Sequence, residues 1–305
     1  MSDIRVGVTL PQFTGDPERL LDGVRRAEDS GLDSIWLFDH LWPLTGGKTR
    51  SMFECWSSLA FIAAATQRIS IGTLVTRSSM RHPALLAKIA ATVNEIAPGR
   101  LIVGIGSGDE ASRAENESVG LPYYEGYERS QQLASTASTV KAFFERDEVE
   151  FSDPFVQLKG LRSNPRTADP PPVWVGGRSR VAIEVAATLA DGWNGWGGTP
   201  AGYARAAERV RRLGSGRKVE LTWASLVILA HSADEAERKL RGRPAAGYLI
   251  GPPDTVGERL GEFVRAGAQH IIVTFPDAWA PGNYETLAIM KSGLPTPTVA
   301  ASDNG

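Results

Sequence analysis

An acid and an imidazole, Asp39 and His40, directly follow the apolar run Ile35–Phe38. An imidazole exchanges protons near neutral pH, and a carboxylate beside it can orient it or contact a bound ring. A second pair of acids, Asp109 and Glu110, follows the glycine-rich stretch GIGSG. These residue types and their placement predict proton transfer at His40, with one of the later acids as a further candidate.

Each of these assignments has an alternative. His40 can instead be a half-buried side chain that hydrogen-bonds a backbone carbonyl. Consecutive residues of an extended chain point to opposite faces, so we expect only one of Asp39 and His40 to face a substrate. Arg77 and Arg81 either meet an anionic group or form the solvated start of a helix. We predict structural roles for the remaining histidines, His82, His231 and His270.

Two glycine-rich turns follow apolar runs, Gly176-Gly177-Arg178-Ser179 and Gly106-Ser107-Gly108. Backbone amides of a glycine turn at a helix start present donors to an anion, to which Arg178 adds a charge and Ser179 a hydroxyl. The first turn therefore predicts a phosphate site, with a merely tight strand–helix turn as the alternative. The second turn is the weaker candidate, because its glycines can simply relieve crowding.

Aromatic side chains are expected around the same site. The candidates for the wall of a substrate pocket are Phe13, Trp42, Trp193 and Trp196. A tryptophan or phenylalanine at such a position can equally be part of the core or the rim, where its large apolar surface packs.

Other common chemistries fit this sequence poorly. No lysine lies in a predicted barrel strand, which argues against Schiff-base catalysis. The chain has 4 histidines and neither H-x-H nor H-E-x-x-H, which argues against a metal hydrolase, and we expect no metal. In GIGSG the serine is displaced by one position from the G-x-S-x-G pattern of a nucleophile elbow. What remains is typical of a protein that binds a large planar phosphorylated cofactor.

The elements that must position these residues alternate between strand and helix along the chain. The predicted strands cover 5–9, 34–39, 68–76, 101–107, 172–176, 192–196, 219–231 and 270–275. The second is apolar at successive positions, which is typical of a parallel strand buried on both faces. A helix is predicted to begin at Asp16-Pro17-Glu18 and to end before Gly31.

Eight such units in a chain of 305 residues predict a single-domain (β/α)₈ barrel over residues 1–291. We predict a small hairpin over 149–161 before the fifth strand, and a disordered tail over 292–305. A doubly wound sheet is the alternative, but its first loop usually carries several glycines, whereas LPQFTGDP has a single one. In a barrel, the candidates above all lie at the carboxyl ends of strands, where barrel active sites form.

Composition limits the partners. The net charge of −2 argues against nucleic acid as a partner. The single cysteine, Cys55, excludes a disulfide within the chain and favours the cytoplasm. No apolar stretch reaches the length of a membrane span, and the first residues lack a signal peptide's apolar region. We therefore expect a cytoplasmic protein that acts on a small-molecule substrate and does not bind a membrane. We also expect a homodimer.

The sequence also resembles the luciferase-like monooxygenase superfamily over nearly its whole length. The segments that carry the resemblance are Asp39-His40, IGTLVT, GRLIVGIGSG, PPVWVGG, LADGWNGW and GPPDTVGERLGEFVRAGAQHIIV. The resemblance implies a (β/α)₈ barrel, in agreement with the strand count. Members use either FMN or the deazaflavin coenzyme F420. The Asp-His pair and the short chain look more like the F420 branch, which includes glucose-6-phosphate and secondary-alcohol dehydrogenases.

That likeness implies hydride transfer between coenzyme F420 and an organic substrate, either an alcohol or carbonyl compound or an activated double bond. The alternatives are an FMN monooxygenase that uses O₂ and receives reduced flavin from a separate reductase, and a non-catalytic flavin- or deazaflavin-binding protein. The sugar-phosphate anchors of the glucose-6-phosphate enzymes have no clear counterpart here, so we predict no specific substrate.

The likeness also implies roles for particular residues. The family's cis peptide bond, which supports the deazaflavin ring, matches Leu74–Val75. Its phosphate-binding turn matches Gly176-Gly177, and its acid after the fourth strand matches Asp109, or Glu110 if the register slips by one. The expected cofactor contacts are Asp39, Leu74, Val75, Thr76, Gly106, Ser107, Gly108, Gly176, Gly177, Arg178 and Ser179.

Overall fold

The structure is a computed structural model that describes residues 3–10, 12–43 and 47–297. Its strands are β1 (Arg5–Thr9), β2 (Ser34–Leu37), β3 (Ser70–Thr73), β4 (Thr76–Arg77), β5 (Leu101–Gly106), β6 (Glu148–Ser152), β7 (Gln157–Arg162), β8 (Val173–Gly176), β9 (Gly192–Trp196), β10 (Glu220–Leu229), β11 (Tyr248–Gly251) and β12 (His270–Thr274). Its helices are α1 (Pro17–Asp29), α2 (Cys55–Ala65), α3 (Pro83–Ile96), α4 (Arg113–Ser118), α5 (Gly126–Glu145), α6 (Arg180–Thr188), α7 (Pro200–Gly214), α8 (Ala233–Leu240), α9 (Pro253–Arg265) and α10 (Asn283–Ser292).

A closed ring of parallel strands forms the centre of the molecule. The order around the ring is β1, β2, β3 with its continuation β4, β5, β8, β9, β10 and β12. β12 pairs with β1, with Ile271 opposite Val6, so the ring has no open edge. The helices pack around this ring, which confirms the predicted (β/α)₈ barrel.

The structure refines three of the predicted elements. The predicted third strand is divided into β3 and β4 at Leu74–Val75, and the peptide bond between these two residues is cis, as predicted. The predicted hairpin before the fifth ring strand is present as the antiparallel pair β6 and β7. β11 was not predicted, because its short run has no long apolar period; it pairs with β10 outside the ring.

The residues that predicted the start and end of the first helix act in the structure as expected. The Asp16 side chain accepts hydrogen bonds from the amides of Glu18 and Arg19, and Pro17 occupies the first helical position, where no amide donor is needed. Gly31 follows the end of α1 with φ of +80°, a conformation that favours glycine. The chain therefore turns into β2 at the predicted point.

The core consists of two layers. Most buried apolar side chains lie between the ring and the helices. A smaller cluster fills the inside of the ring, where the Trp36 and Trp174 rings stack with centroids 4.9 Å apart. Leu74, at the break in the third ring strand, belongs to this inner cluster, and Val75 packs against it. The floor of any cavity at the carboxyl ends of the strands is therefore apolar and closely packed.

The chain after α10 bears on the predicted tail over 292–305. Ser292 ends α10, and Leu294 packs against the core. Residues 298–305 lie outside the described residues, so the boundary between a domain over 1–291 and a tail stays a prediction. None of the described helices is long and apolar enough to cross a membrane.

Candidate active site

A cavity of about 970 Å³ opens at the carboxyl ends of the ring strands. Most of the residues singled out in the sequence lie in its wall: Phe13, Asp39, His40, Leu74, Val75, Gly106, Ser107, Gly108, Asp109, Gly176, Gly177, Arg178 and Trp196. The cavity is large enough for a sizeable ligand, because pockets for small molecules and cofactors commonly measure about 300–1,000 Å³.

His40 lies in the cavity wall and is held from behind by a residue that the sequence did not reveal. Its Nδ1 is 2.9 Å from Oε2 of Glu115, a fully buried residue of α4. The other carboxylate oxygen of Glu115 accepts the backbone amide of Leu41 at 2.9 Å. One expectation was that Asp39 orients His40. The structure shows instead that the hydrogen-bond partner of the His40 ring is Glu115.

Both carboxylate oxygens of Asp39 accept hydrogen bonds from neighbouring residues. Arg81 donates to both of its oxygens, at 2.6 and 3.0 Å, and Thr76 Oγ1 donates at 2.6 Å. The backbone amide of Arg77 also donates to it. Burial alone would raise the pKa of Asp39, but the charge and hydrogen bonds of Arg81, with those of Thr76 and Arg77, hold it below its usual range. Asp39 is thus an ionised anchor for the segment after the break in the third ring strand.

Arg77 and Arg81 are not the solvated helix start considered as one alternative. Arg77 is buried, and its Nε donates to the carbonyl of Asp39 at 3.0 Å. Its Nη2 lies 2.7 Å from Glu115 Oε2, close enough for an ion pair although the two groups are not aligned as a hydrogen bond. Arg81 bridges Asp39 and Glu54. Both cations are therefore committed to internal carboxylates.

The structure separates the two candidate acids after the fourth predicted strand. Asp109 lines the cavity, and one of its oxygens accepts the amide of Ser112 at 3.2 Å, which caps a short helical turn. Glu110 does not line the cavity, because its exposed carboxylate pairs with Arg113, whose Nε is 2.7 Å away. Asp109 is therefore the acid available to a ligand.

Two predicted pocket aromatics lie elsewhere. Trp193 is fully buried outside the ring, where it stacks on Tyr203 of α7 with centroids 5.3 Å apart. Its side chain points outward because residues of a strand alternate between faces, and Asn194 takes the inward position in the cavity wall. Trp42 also lies outside the cavity wall, with Lys48 Nζ 4.4 Å from its ring centroid. The prediction that these two tryptophans line the pocket is wrong.

Thr76 and Ser179 support the site from behind its wall. The Thr76 hydroxyl donates to Asp39, as described above. The Ser179 hydroxyl accepts the amide of Ala182 and so caps α6. Neither residue belongs to the cavity wall, so direct cofactor contact by either side chain is not what the geometry favours.

The predicted phosphate turn is present, but its amide donors differ from those expected. The Gly177 amide donates to the carbonyl of Asn194 at 3.0 Å, so it is not free for an anion. The first turn of α6 begins directly afterwards, and a helix start leaves its first amides, here those of Arg180 and Val181, without partners inside the helix. Gly177 has a φ of +129°, a conformation that favours glycine, at the turn between β8 and α6.

Gly106 and Gly176 leave room for one side chain. A Cβ at Gly106 would lie 2.2 Å from Val75 Cγ2, and a Cβ at Gly176 would lie 2.7 Å from Val75 Cγ1. Both glycines therefore let Val75 stand in the ring, where it and Leu74 form an apolar surface in the cavity floor. Their role is packing around Val75, which agrees with the alternative of relieved crowding.

Aromatic rings form one side of the cavity. Phe13 stacks on Phe38 with centroids 6.3 Å apart, and Phe38 meets the edge of Trp196 at the same centroid distance. Trp279 lies in the wall as well, with the guanidinium of Arg19 5.0 Å from its ring centroid. Phe38 and Trp279 were not singled out in the sequence. An aromatic residue at the end of an apolar run, such as Phe38, is not distinguishable from core, and Trp279 lies in the loop after β12.

A sequence model of the luciferase-like monooxygenases matches residues 2–248. The chain belongs to the luciferase-like monooxygenase family. The position of the cavity and the cis bond in the third ring strand agree with the resemblance seen in the sequence.

Relatives and solved structures extend this comparison. This luciferase-like chain is 30% identical over 193 residues to an F420-dependent glucose-6-phosphate dehydrogenase of Nakamurella multipartita, covering 62% of this chain and 55% of the relative. It is 29% identical over 190 residues to an F420-dependent hydroxymycolic acid dehydrogenase of Mycobacterium tuberculosis, covering 62% and 51%. The chain thus spans about half the length of these curated relatives.

A solved structure matches over more of its length. An F420-dependent secondary alcohol dehydrogenase in complex with an F420–acetone adduct superposes with a TM-score of 0.82 at 20% identity, covering 95% of this chain and 98% of the other. At that identity the match establishes the fold of this luciferase-like protein.

Proposed function

We propose that this protein transfers a hydride between coenzyme F420 and a small organic substrate, with His40 as the residue that moves the substrate's proton. The observation that carries the proposal is the position of His40, whose ring stands in the cavity wall while its Nδ1 is tied to the buried Glu115 at 2.9 Å. The F420 dependence in the names of the two curated relatives supports the choice of coenzyme.

The residues around the cavity fit a planar phosphorylated coenzyme. Leu74 and Val75 give an apolar floor, and Arg178, in the cavity wall just before α6, gives a charged donor suited to a phosphate. The cavity volume of about 970 Å³ lies at the upper end of the usual range for small-molecule and cofactor pockets, about 300–1,000 Å³. When bound, the deazaflavin supplies a hydride acceptor or donor.

The chain's own part in the reaction is proton transfer. Oxidation of an alcohol removes a hydride from carbon and a proton from oxygen, and we propose that His40 takes that proton. Reduction of a carbonyl or of an activated double bond runs the same transfer in reverse. Asp109, which also lies in the cavity wall, is the candidate for a second proton position.

An activity screen tests the proposed function. Oxidised coenzyme F420 is mixed with the protein and, in turn, with a panel of secondary alcohols and sugar phosphates, and loss of the oxidised deazaflavin fluorescence is followed. Substrate-dependent loss supports the proposal. A parallel assay supplies reduced FMN and O₂, because reduced flavin reacts readily with O₂ whereas reduced deazaflavin hardly does. Oxygenation of a substrate in that assay alone would replace the proposal with the FMN monooxygenase.

Replacing Arg178 tests whether this residue binds the phosphate of coenzyme F420. We expect Arg178→Ala to weaken binding of coenzyme F420 about 10- to 100-fold, the effect of losing one hydrogen bond to a charged group. The same change should leave binding of the phosphate-free deazaflavin precursor within about threefold, since that ligand lacks the anion. Both affinities are measured by fluorescence titration.

The matched control is Arg180→Ala, two residues further along the chain, at the start of α6. Arg180 is exposed and pairs with Glu184, and it is not in the cavity wall. Equal weakening of both ligands by Arg178→Ala, or equal weakening of coenzyme F420 by both variants, would show that Arg178 does not contact the phosphate.

We also propose that the protein is a cytoplasmic homodimer. The lone cysteine, Cys55, is buried and free, in keeping with a reducing compartment. Phe61 of α2 and Leu85 of α3 are exposed apolar side chains on helices that are neighbours around the barrel, which supports contact between two copies there. Light scattering on the purified protein gives the mass that tests the dimer.

A further inference from the structure

We propose that Glu115 is a positioning residue that fixes His40 in one tautomer, with the proton on Nδ1 and with Nε2 left unprotonated toward the cavity. The inference deepens the proposed function, since it assigns the atom of His40 that receives the substrate proton. Its structural part does not depend on any substrate and is tested without one.

Glu115 contacts both the imidazole ring of His40 and the backbone amides of the two residues that follow it. Oε2 lies 2.9 Å from His40 Nδ1, while Oε1 accepts the amides of Leu41 at 2.9 Å and Trp42 at 3.4 Å. Glu115 itself has no exposed surface. One buried carboxylate therefore fixes the ring orientation and the turn that follows it.

The surroundings of Glu115 keep it ionised. Burial alone would raise the pKa of Glu115, but the hydrogen bond from His40, the charge of Arg77 and the hydrogen bond from the amide of Leu41 hold it below its usual range. Arg77 Nη2 lies 2.7 Å from the same oxygen that faces His40. An ionised carboxylate accepts hydrogen bonds and cannot donate them.

The tautomer follows from this acceptor-only carboxylate. The proton in the contact between His40 and Glu115 must lie on Nδ1, and a neutral imidazole carries only one such proton. Nε2 then presents a lone pair, which is what a group that accepts a substrate proton requires. Once Nε2 is protonated, Glu115 stabilises the imidazolium, and Arg77 makes the carboxylate a poor acceptor for the proton itself.

Asp39 does not compete for this role, although it is adjacent in sequence. Its two oxygens are occupied by Arg81, Thr76 and the amide of Arg77. The positioning carboxylate of His40 thus comes from α4, 75 residues away in the chain.

Nitrogen NMR of the ring tests the inference directly. Protein labelled with ¹⁵N in histidine is recorded at alkaline pH, where imidazoles are neutral, and the His40 signals are assigned by their absence from His40→Asn. We expect wild-type His40 to show a protonated Nδ1 and an unprotonated Nε2. In Glu115→Gln the amide can donate as well as accept, so we expect the Nε2–H form to become substantial. The control is Glu110→Gln, an exposed substitution in the same segment, which should leave the His40 signals as they are in the wild-type protein.

The wild-type spectrum alone can overturn the inference, so it does not depend on whether Glu115→Gln folds. An Nε2–H form in the wild-type protein would contradict it, as would an unchanged Nδ1–H form in folded Glu115→Gln. With an active substrate in hand, kcat of Glu115→Gln should fall about 10²-fold with little change in coenzyme affinity. An Nδ1–H wild type that shows no hydride transfer with coenzyme F420 would remove the proposed function while leaving this assignment intact.

Discussion

Replacing His40 by alanine should lower the rate of hydride transfer by about 10²–10⁴, the usual cost of losing a positioned acid–base group. Coenzyme affinity should stay within a few-fold, because the floor at Leu74 and Val75 and the side chain of Arg178 are untouched. Single-turnover kinetics with a substrate from the screen, together with fluorescence titration of coenzyme F420, separates the two quantities.

The control for this variant is His231→Ala, which removes an exposed imidazole that does not line the cavity. Near-normal turnover in His40→Ala would refute the proton role. If coenzyme binding alone were lost, His40 would be a ring contact, and the substrate proton would have to move through Asp109.

The largest effect on stability is expected at Asp39. Asp39→Ala leaves Arg81 without its buried bidentate partner, and the loss of one member of a buried ion pair typically costs about 3–5 kcal/mol. Urea unfolding should therefore show a free energy of unfolding lower by about that amount. The exposed acid Asp22 on α1 supplies the control, since Asp22→Ala should change stability by about 0.5 kcal/mol or less.

Asp39 should also make stability depend on pH in the acid range. Its pKa is lowered in the folded protein, so its contribution is fully present above the ordinary aspartate value, about 3.9, and is lost as the pH falls through the lower folded value. Asp39→Asn should flatten the acid limb of a plot of unfolding free energy against pH. An acid limb as steep in Asp39→Asn as in the wild type would show that Asp39 is not an ionised anchor.

The barrel and the location of its site could be predicted from the sequence because both depend on local patterns. Apolar runs such as Ser34–Leu37 alternate with capped helices such as the one that Asp16 begins, and a repeated strand–helix unit leaves few topologies. Once the barrel was assumed, the residues that follow each strand had to lie at one rim. For this reason the sequence predicted that His40, Asp109 and Arg178 lie at the site, and all three lie in the cavity wall.

The partners of these residues could not be predicted, because they are distant in the chain and follow no period. Glu115 lies in a short helix of six residues after the fourth predicted strand, in a segment with no apolar pattern. The pairing of Asp39 with Arg81 crosses 42 positions. Such ion pairs depend on how loops fold over the rim, and single-sequence patterns carry no information about that.

The tryptophans show a second limit of prediction from the sequence. Trp193 and Trp196 both occur in the run GWNGW, and only a register fixed by neighbouring strands decides which one faces the cavity. A shift of one residue reverses the outcome. Here Trp193 faces α7 and Trp196 the cavity, and both alternatives raised for these residues proved correct, each for a different tryptophan.

The most direct test of the central claim is a paired fluorescence titration of the wild-type protein with coenzyme F420 and with FMN under the same conditions. We expect coenzyme F420 to bind with the lower Kd, and His40→Ala to change this Kd by no more than a few-fold. A Kd for FMN well below that for coenzyme F420 would contradict the proposed use of coenzyme F420 and favour an FMN-dependent monooxygenase.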